Sequence, residues 1–182
     1  MKAHEIITEI LRREGGYVNL KADRGGPTNL GITQATLSDW LGRPATIEDV
    51  KALDEETARE IYVTRYMSGP RIDTLPPAIV PFTVDASVNH GPRSAIKMVQ
   101  RVVNEAGFGP IGVDGVIGPK SRAAAQAAQE AMGEWFLAAL VEERRNVYRR
   151  IVARNPTQEV FLKGWMNRVA EFEPAIEGSN AA

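Results

Sequence analysis

Glu14, Asp23 and Thr28 sit in a stretch whose glycines, Gly15, Gly16, Gly25, Gly26 and Gly31, rule out a continuous helix. Each interior glycine costs a helix about 1 kcal/mol relative to alanine. A carboxyl group, a carboxylate nine positions on and a hydroxyl five beyond that suit one kind of chemistry. One group delivers a proton to a leaving oxygen while the others guide water from another side, as cleavage of a glycosidic bond requires. The proton donor needs a raised pKa, which partial burial beside apolar or aromatic groups provides; Tyr17 lies three residues after Glu14. Asp23, in a glycine-rich turn, is expected to be solvated and ionised, with Thr28 helping it hold water. Two readings fit at this point: a catalytic set, or three common polar residues on a surface turn.

The neighbouring elements must position these groups. Ile6, Ile7, Ile10 and Leu11 recur at helical spacing and predict a buried stripe on a helix over 2–13, stopped by Gly15-Gly16. Glu14 then faces the negative end of the helix dipole, a field that favours a protonated acid; the plainer alternative is an exposed surface glutamate. Tyr17, Val18 and Leu20, with turn chemistry at Asp23-Arg24-Gly25-Gly26-Pro27, predict a short hairpin with Thr28 on its returning strand. Thr33 is expected to cap a helix with Leu37 and Trp40 inside. Thr46 to Asp49 reads as a capping-box variant, and Asp54 as the cap of a helix over 55–67 burying Ala58, Ile61, Tyr62 and Tyr66.

Pro76-Pro77 suits the entry of a helix over 78–90 that carries Asp85 and Asn89 on one face, and His90-Gly91-Pro92 reads as a lobe boundary. Helices are expected over 93–106, 119–130, 133–153 and 157–172, the last burying Val160, Phe161, Trp165 and Val169. The expected fold is mainly α (α+β), two-lobed, with one small β-hairpin carrying the candidate site. Its parts are a first lobe over 1–91, a helical second lobe over 92–173 and a tail over 174–182.

Composition narrows the classes. The chain has 182 residues, net charge −1 and no cysteine, which leaves no disulfide or thiolate metal site and gives no basic excess for nucleic acid. Two distant histidines make a zinc site unlike this sequence. No apolar run is long enough for a bilayer span and the N-terminus lacks a signal-peptide core. The expectation is therefore synthesis in the cytoplasm and no stable membrane insertion.

The whole first stretch resembles the phage-type muramidases of glycoside hydrolase family 108. Glu14-Gly15-Gly16-Tyr17 matches that family's first block, and Asp23, Gly25-Gly26, Thr28 and Gly31-Ile32-Thr33 match the positions after it. The order Glu, Asp, Thr also resembles the triad of phage-type lysozymes, with an Asp-to-Thr gap one residue shorter. The resemblance assigns Glu14 as the essential acid and implies assisting roles for Asp23 and Thr28. It also implies that the helix carrying Asn89 lies near the catalytic lobe, which makes Asn89 and Tyr17 candidate substrate contacts.

Val88-Asn89-His90-Gly91-Pro92 resembles the lobe junction of these proteins. Asp114-Gly115-Val116-Ile117-Gly118-Pro119 resembles a turn of peptidoglycan-binding modules, and Phe161 to Arg168 their closing helix. Loop-to-helix punctuation explains the Asp114 turn equally well, so it is not assigned as a site. The resemblance spans roughly residues 5–172.

What it implies is a monomeric endolysin that cleaves the β-1,4 bond between N-acetylmuramic acid and N-acetylglucosamine. It needs no metal or cofactor, and reaches the wall from the cytoplasm, acting in the periplasm once a holin opens the inner membrane. A host muramidase serving secretion shares this logic. Two other readings are a wall-binding accessory protein without catalysis and a lytic transglycosylase that uses Glu14 without Asp23. His90 is read as a helix C-cap. The run Arg144, Arg145, Arg149, Arg150, Arg154 is read mainly as a solvated face, with contact to anionic polymers as the sharper alternative. The three tryptophans are expected to pack rather than stack on sugar.

Overall fold

A computed structural model describes residues 3–14, 16–18 and 27–176, and the chain divides into two compact units, 1–69 and 70–182. In the first, α1 (Ala3–Glu14) buries Ile6, Ile7, Ile10 and Leu11, the stripe expected from spacing, and packs against α4 (Glu55–Val63) with Ala58, Ile61 and Tyr62. Strands β1 (Thr28–Asn29) and β2 (Ile32–Thr33) form an antiparallel hairpin with Thr28 opposite Thr33 and Asn29 opposite Ile32. Helices α2 (Gln34–Leu41) and α3 (Ile47–Lys51) pack beside it.

Three helix starts are explained by their caps. Thr33 Oγ1 accepts from Thr36 N at 3.1 Å, Thr46 and Asp49 complete a reciprocal capping box, and Asp54 accepts from Thr57 N at 2.7 Å. Each such cap is worth about 1 kcal/mol. The α4 helix ends earlier than its sequence suggests, because Thr64–Ser68 widens into a π-helical turn. Tyr66, expected inside, is half-buried there with its ring 5.5 Å from that of Tyr62.

The second unit is organised on α5 (Val80–His90), which is buried all round from Val80 to Ser87, the signature of a central helix. Pro81 falls in its first turn, where a missing N–H costs nothing. Helix α6 (Pro92–Glu105) lies along α5 and buries Ile96, Val99, Val102 and Val103 as expected. It also contacts α7 (Pro119–Met132) and α8 (Glu134–Arg154), and α8 packs on α9 (Glu159–Ala170).

Several burial expectations fail here. Of the four residues assigned inside α9 only Val169 is buried. Trp165 is half-buried, and Phe161 and Val160 are exposed at 53% and 78%. A short turn over Pro156–Gln158 separates α8 from α9, and Trp165 stacks on Tyr148 at 4.9 Å with Phe161 stacked on Trp165 at 5.9 Å, so these rings pack at the surface rather than in the core. Trp135 and Trp40 are exposed as well, since their neighbours Phe136 and Leu37 occupy the core positions.

Candidate active site

The site expected from sequence begins where α1 ends. Glu14 is the last residue of α1; its side chain, and Asp23 entirely, lie outside the described residues. Past Gly16 the chain meets the hairpin through one antiparallel bridge. Val18 N donates to Thr28 O at 2.8 Å and Thr28 N donates to Val18 O at 2.9 Å. Such a doubly bonded pair holds the two Cα atoms about 5.5 Å apart. Thr28 is thereby tied to a residue four positions after Glu14, and Asp23 falls between the two bridged residues in sequence. The pairing of Val18 with Thr28 matches the expected returning strand. A further, tight turn at Leu30-Gly31 joins β1 to β2; of the expected turn over 23–27, residues 23–26 lie outside the described residues.

Both turn residues have positive φ, 52° at Leu30 and 73° at Gly31, as a two-residue hairpin of right-handed twist requires. Leucine resists this conformation, and the Tyr62 hydroxyl supports it by donating to Leu30 O at 3.3 Å. Alternation puts Thr28 and Asn29 on opposite faces of β1. Asn29 faces inward, 7% exposed, and its Nδ2 donates to the carbonyls of Val50, Lys51 and Leu53 at 2.9, 3.3 and 3.3 Å. These oxygens belong to the C-terminal end of α3, where helix carbonyls lack helical partners. One side chain thus fixes the strand to a helix end. Thr28 faces the other way, half-buried, with no side-chain hydrogen-bond partner among the described residues. Tyr17 is half-buried, and the Lys51 ammonium lies 5.5 Å from its ring centre.

Asn29 and Lys51 are not singled out by the sequence, and Tyr62 is expected there only as a core residue. The one available signal was Asn29-Leu30-Gly31 ahead of β-branched Ile32-Thr33, a turn-then-strand pattern.

In the second unit Asn89 is exposed, and its Nδ2 donates to Asp85 O at 2.7 Å, so the shared helix face is real. Asp85 is buried and accepts from Arg144 Nη1 at 2.7 Å and Arg168 Nη2 at 2.7 Å. Arg144 is fully buried, stacks its guanidinium over Phe82 and Tyr148, and donates through Nε to His90 Nε2 at 3.3 Å. The solvated-face reading of the arginine run therefore fails for Arg144.

His90 is not a side-chain cap. Its ring packs on Tyr148, and burial, followed by the positive charge of Arg144, lowers its pKa to about 4. It is a neutral acceptor. The Asp114 turn is held internally: Gln100 Nε2 donates to Asp114 Oδ1 at 2.8 Å, and Gln100 Oε1 accepts from Gly115 N at 2.8 Å. Gly115, at φ 78°, has Arg93 O where a Cβ would stand 2.7 Å away, so glycine is required there. Among the described residues, no cluster of acidic and histidine side chains has the geometry to hold a metal ion.

The sequence profile of glycosyl hydrolase 108 matches residues 7–91, and that of a predicted peptidoglycan domain matches residues 94–170. The solved structure of SagA from Brucella abortus is 34% identical, with a TM-score of 0.73, over 93% of this chain and 90% of that one. The chain belongs to the glycosyl hydrolase 108 family. No curated protein matches it. The two family matches meet between residues 91 and 94, inside the second compact unit, so family and packing divide this family 108 chain at different places. Membership makes it a glycoside hydrolase directed at peptidoglycan, and its mainly helical fold with one hairpin is lysozyme-like. No described helix is long and apolar enough to cross a membrane.

Proposed function

We propose that the protein is a muramidase that hydrolyses the β-1,4 bond between N-acetylmuramic acid and N-acetylglucosamine in peptidoglycan. Glu14 is the general acid: it protonates the leaving oxygen from the end of α1, where the helix dipole disfavours its charge. Asp23 guides water with the Thr28 hydroxyl. The observation that carries this reading is the Val18–Thr28 bridge, which ties the strand of Thr28 to the segment leaving Glu14. Catalysis gains most from groups held in a fixed geometry.

In this reading residues 1–91 supply catalysis and 92–173 hold the wall, with Tyr17 and Asn89 as sugar contacts. The exposed Asn89 keeps its carbonyl oxygen available, since its amide nitrogen is the atom bonded to Asp85. The enzyme acts as a monomer in the periplasm after holin-dependent release.

The test is mass spectrometry of muropeptides released from sacculi by wild type and Asp23→Ala. Hydrolysis leaves reducing muramic acid ends, and losing the water-guiding carboxylate lowers their release by about 100-fold or more. Release of 1,6-anhydro ends at an unchanged rate by Asp23→Ala identifies a transglycosylase and ends the proposal.

A further inference from the structure

The second unit contains a groove that the catalytic reading does not use. On α6, Ser94, Lys97, Met98 and Arg101 follow the helical spacing i, i+3, i+4, i+7, and on α8, Val147, Arg150, Ile151 and Arg154 follow the same spacing. The two stripes face each other across a cavity of about 280 Å³. Met98 is buried and Val147 and Ile151 are half-buried, so the groove has an apolar floor between charged walls.

Glu143, 7% exposed, organises it. Its Oε1 accepts from Arg101 Nε at 2.6 Å and from Arg150 Nη2 at 2.9 Å, pinning one guanidinium from each helix. It pairs with two of the groove's four cations, Lys97, Arg101, Arg150 and Arg154, so these five side chains carry a net +3 in a chain whose total is −1. Lys97 and Arg154 have no hydrogen-bond or ion-pair partner among the described residues, and both terminal nitrogens of Arg101 are unspent.

The neighbouring arginines are committed elsewhere: Arg144 to Asp85, Arg145 to Glu173, and Arg149 to Glu142. Helical geometry thus splits the run, and the groove's charge is not a property of α8 alone. Holding like charges together without counter-charge costs stability.

We propose that this groove binds the carboxylates of the stem peptides that peptidoglycan carries on its glycan strands. The inference rests on the peptidoglycan reading above. Guanidinium groups take planar carboxylates bidentately, and the apolar floor suits the alkyl parts of a short peptide. The cavity is near the lower end of small-molecule pockets, about 300–1,000 Å³. A flat anionic membrane fits less well, because the adjacent face of α8 carries Glu142.

The test uses the full chain carrying Glu14→Gln, so that glycan is left intact, with and without Lys97→Gln/Arg154→Gln. Co-sedimentation is measured with intact sacculi, with sacculi stripped of stem peptides by an amidase, and with anionic phospholipid vesicles. The parent is expected to bind intact sacculi about fivefold tighter than stripped ones, the order of two exposed charge contacts. The double substitution abolishes that preference, leaves binding to stripped sacculi the same, and added salt weakens the parent's preference.

A preference that survives the substitution, or a parent that does not distinguish the two sacculi, overturns the proposal. So does a loss confined to vesicles. Release of reducing ends from stripped glycan by wild type, measured in parallel, tests the hydrolase reading separately from the groove.

Discussion

The candidate site and the second unit's core handle polar groups in opposite ways. Around the hairpin, neutral donors set the backbone: Asn29 holds three carbonyls at the end of α3 and Tyr62 holds Leu30. In the second unit, carboxylates are consumed by guanidiniums: Asp85 lies between Arg144 and Arg168, and Glu143 between Arg101 and Arg150. A carboxylate clamped between two guanidiniums spends its oxygens on structure. The hairpin is fixed instead by neutral amide and phenol donors, and the second unit by buried ion pairs.

The comparison predicts its largest stability loss in the second unit. Asp85→Ala leaves the fully buried Arg144 without its carboxylate and is expected to cost about 3–5 kcal/mol, measured by urea denaturation. A loss below about 1 kcal/mol would mean that the stacking of Arg144 on Phe82 and Tyr148, not the ion pair, carries the core. Next, Asn29→Ala is expected to cost about 1–3 kcal/mol by leaving helix-end carbonyls unpaired. Asn29→Asp should be worse despite its similar shape, because a carboxylate would face three carbonyl oxygens. Equal stability of the two variants would contradict the neutral-donor account.

A third effect depends on pH. His90 has its pKa lowered to about 4 from an ordinary 6.5, so the unfolded chain takes up its proton first as pH falls. The second unit is expected to lose stability between about 6.5 and 4, and to be unaffected by this group above that window. Carboxylates with lowered values, such as Asp114 and Glu142, act in the same direction only below the usual carboxylate range. His90→Gln keeps an acceptor for Arg144 and should flatten the melting temperature between about pH 6.5 and 4.5. An unchanged slope would assign it elsewhere.

Local features were legible in the sequence and distant ones were not. The α1 stripe and the caps at Thr33, Thr46 and Asp54 depend on neighbours within about one turn, and all appear as read. The burial of Arg144 depends on a carboxylate 59 positions away, and Arg168 reaches the same carboxylate across 83. Nothing in a charge run announces such partners. The buried places expected for Phe161 and Trp135 fail for a related reason: apolar spacing gives a face, but not how far along the helix that face is covered. At the candidate site, the glycine-rich block of Glu14 was legible as a motif. The side chains that hold its strand, Asn29 and Tyr62, were not, because their bonds span 21 to 32 positions.

The most direct test is clearing of outer-membrane-permeabilised Gram-negative cells by wild type and Glu14→Gln, each checked for folding. The substitution preserves shape and removes the transferable proton. Wild type is expected to clear the suspension and release reducing muramic acid ends, with Glu14→Gln slower by about 100-fold or more. Equal clearing by a folded Glu14→Gln would show that Glu14 is not the acid and would remove the centre of the proposed mechanism.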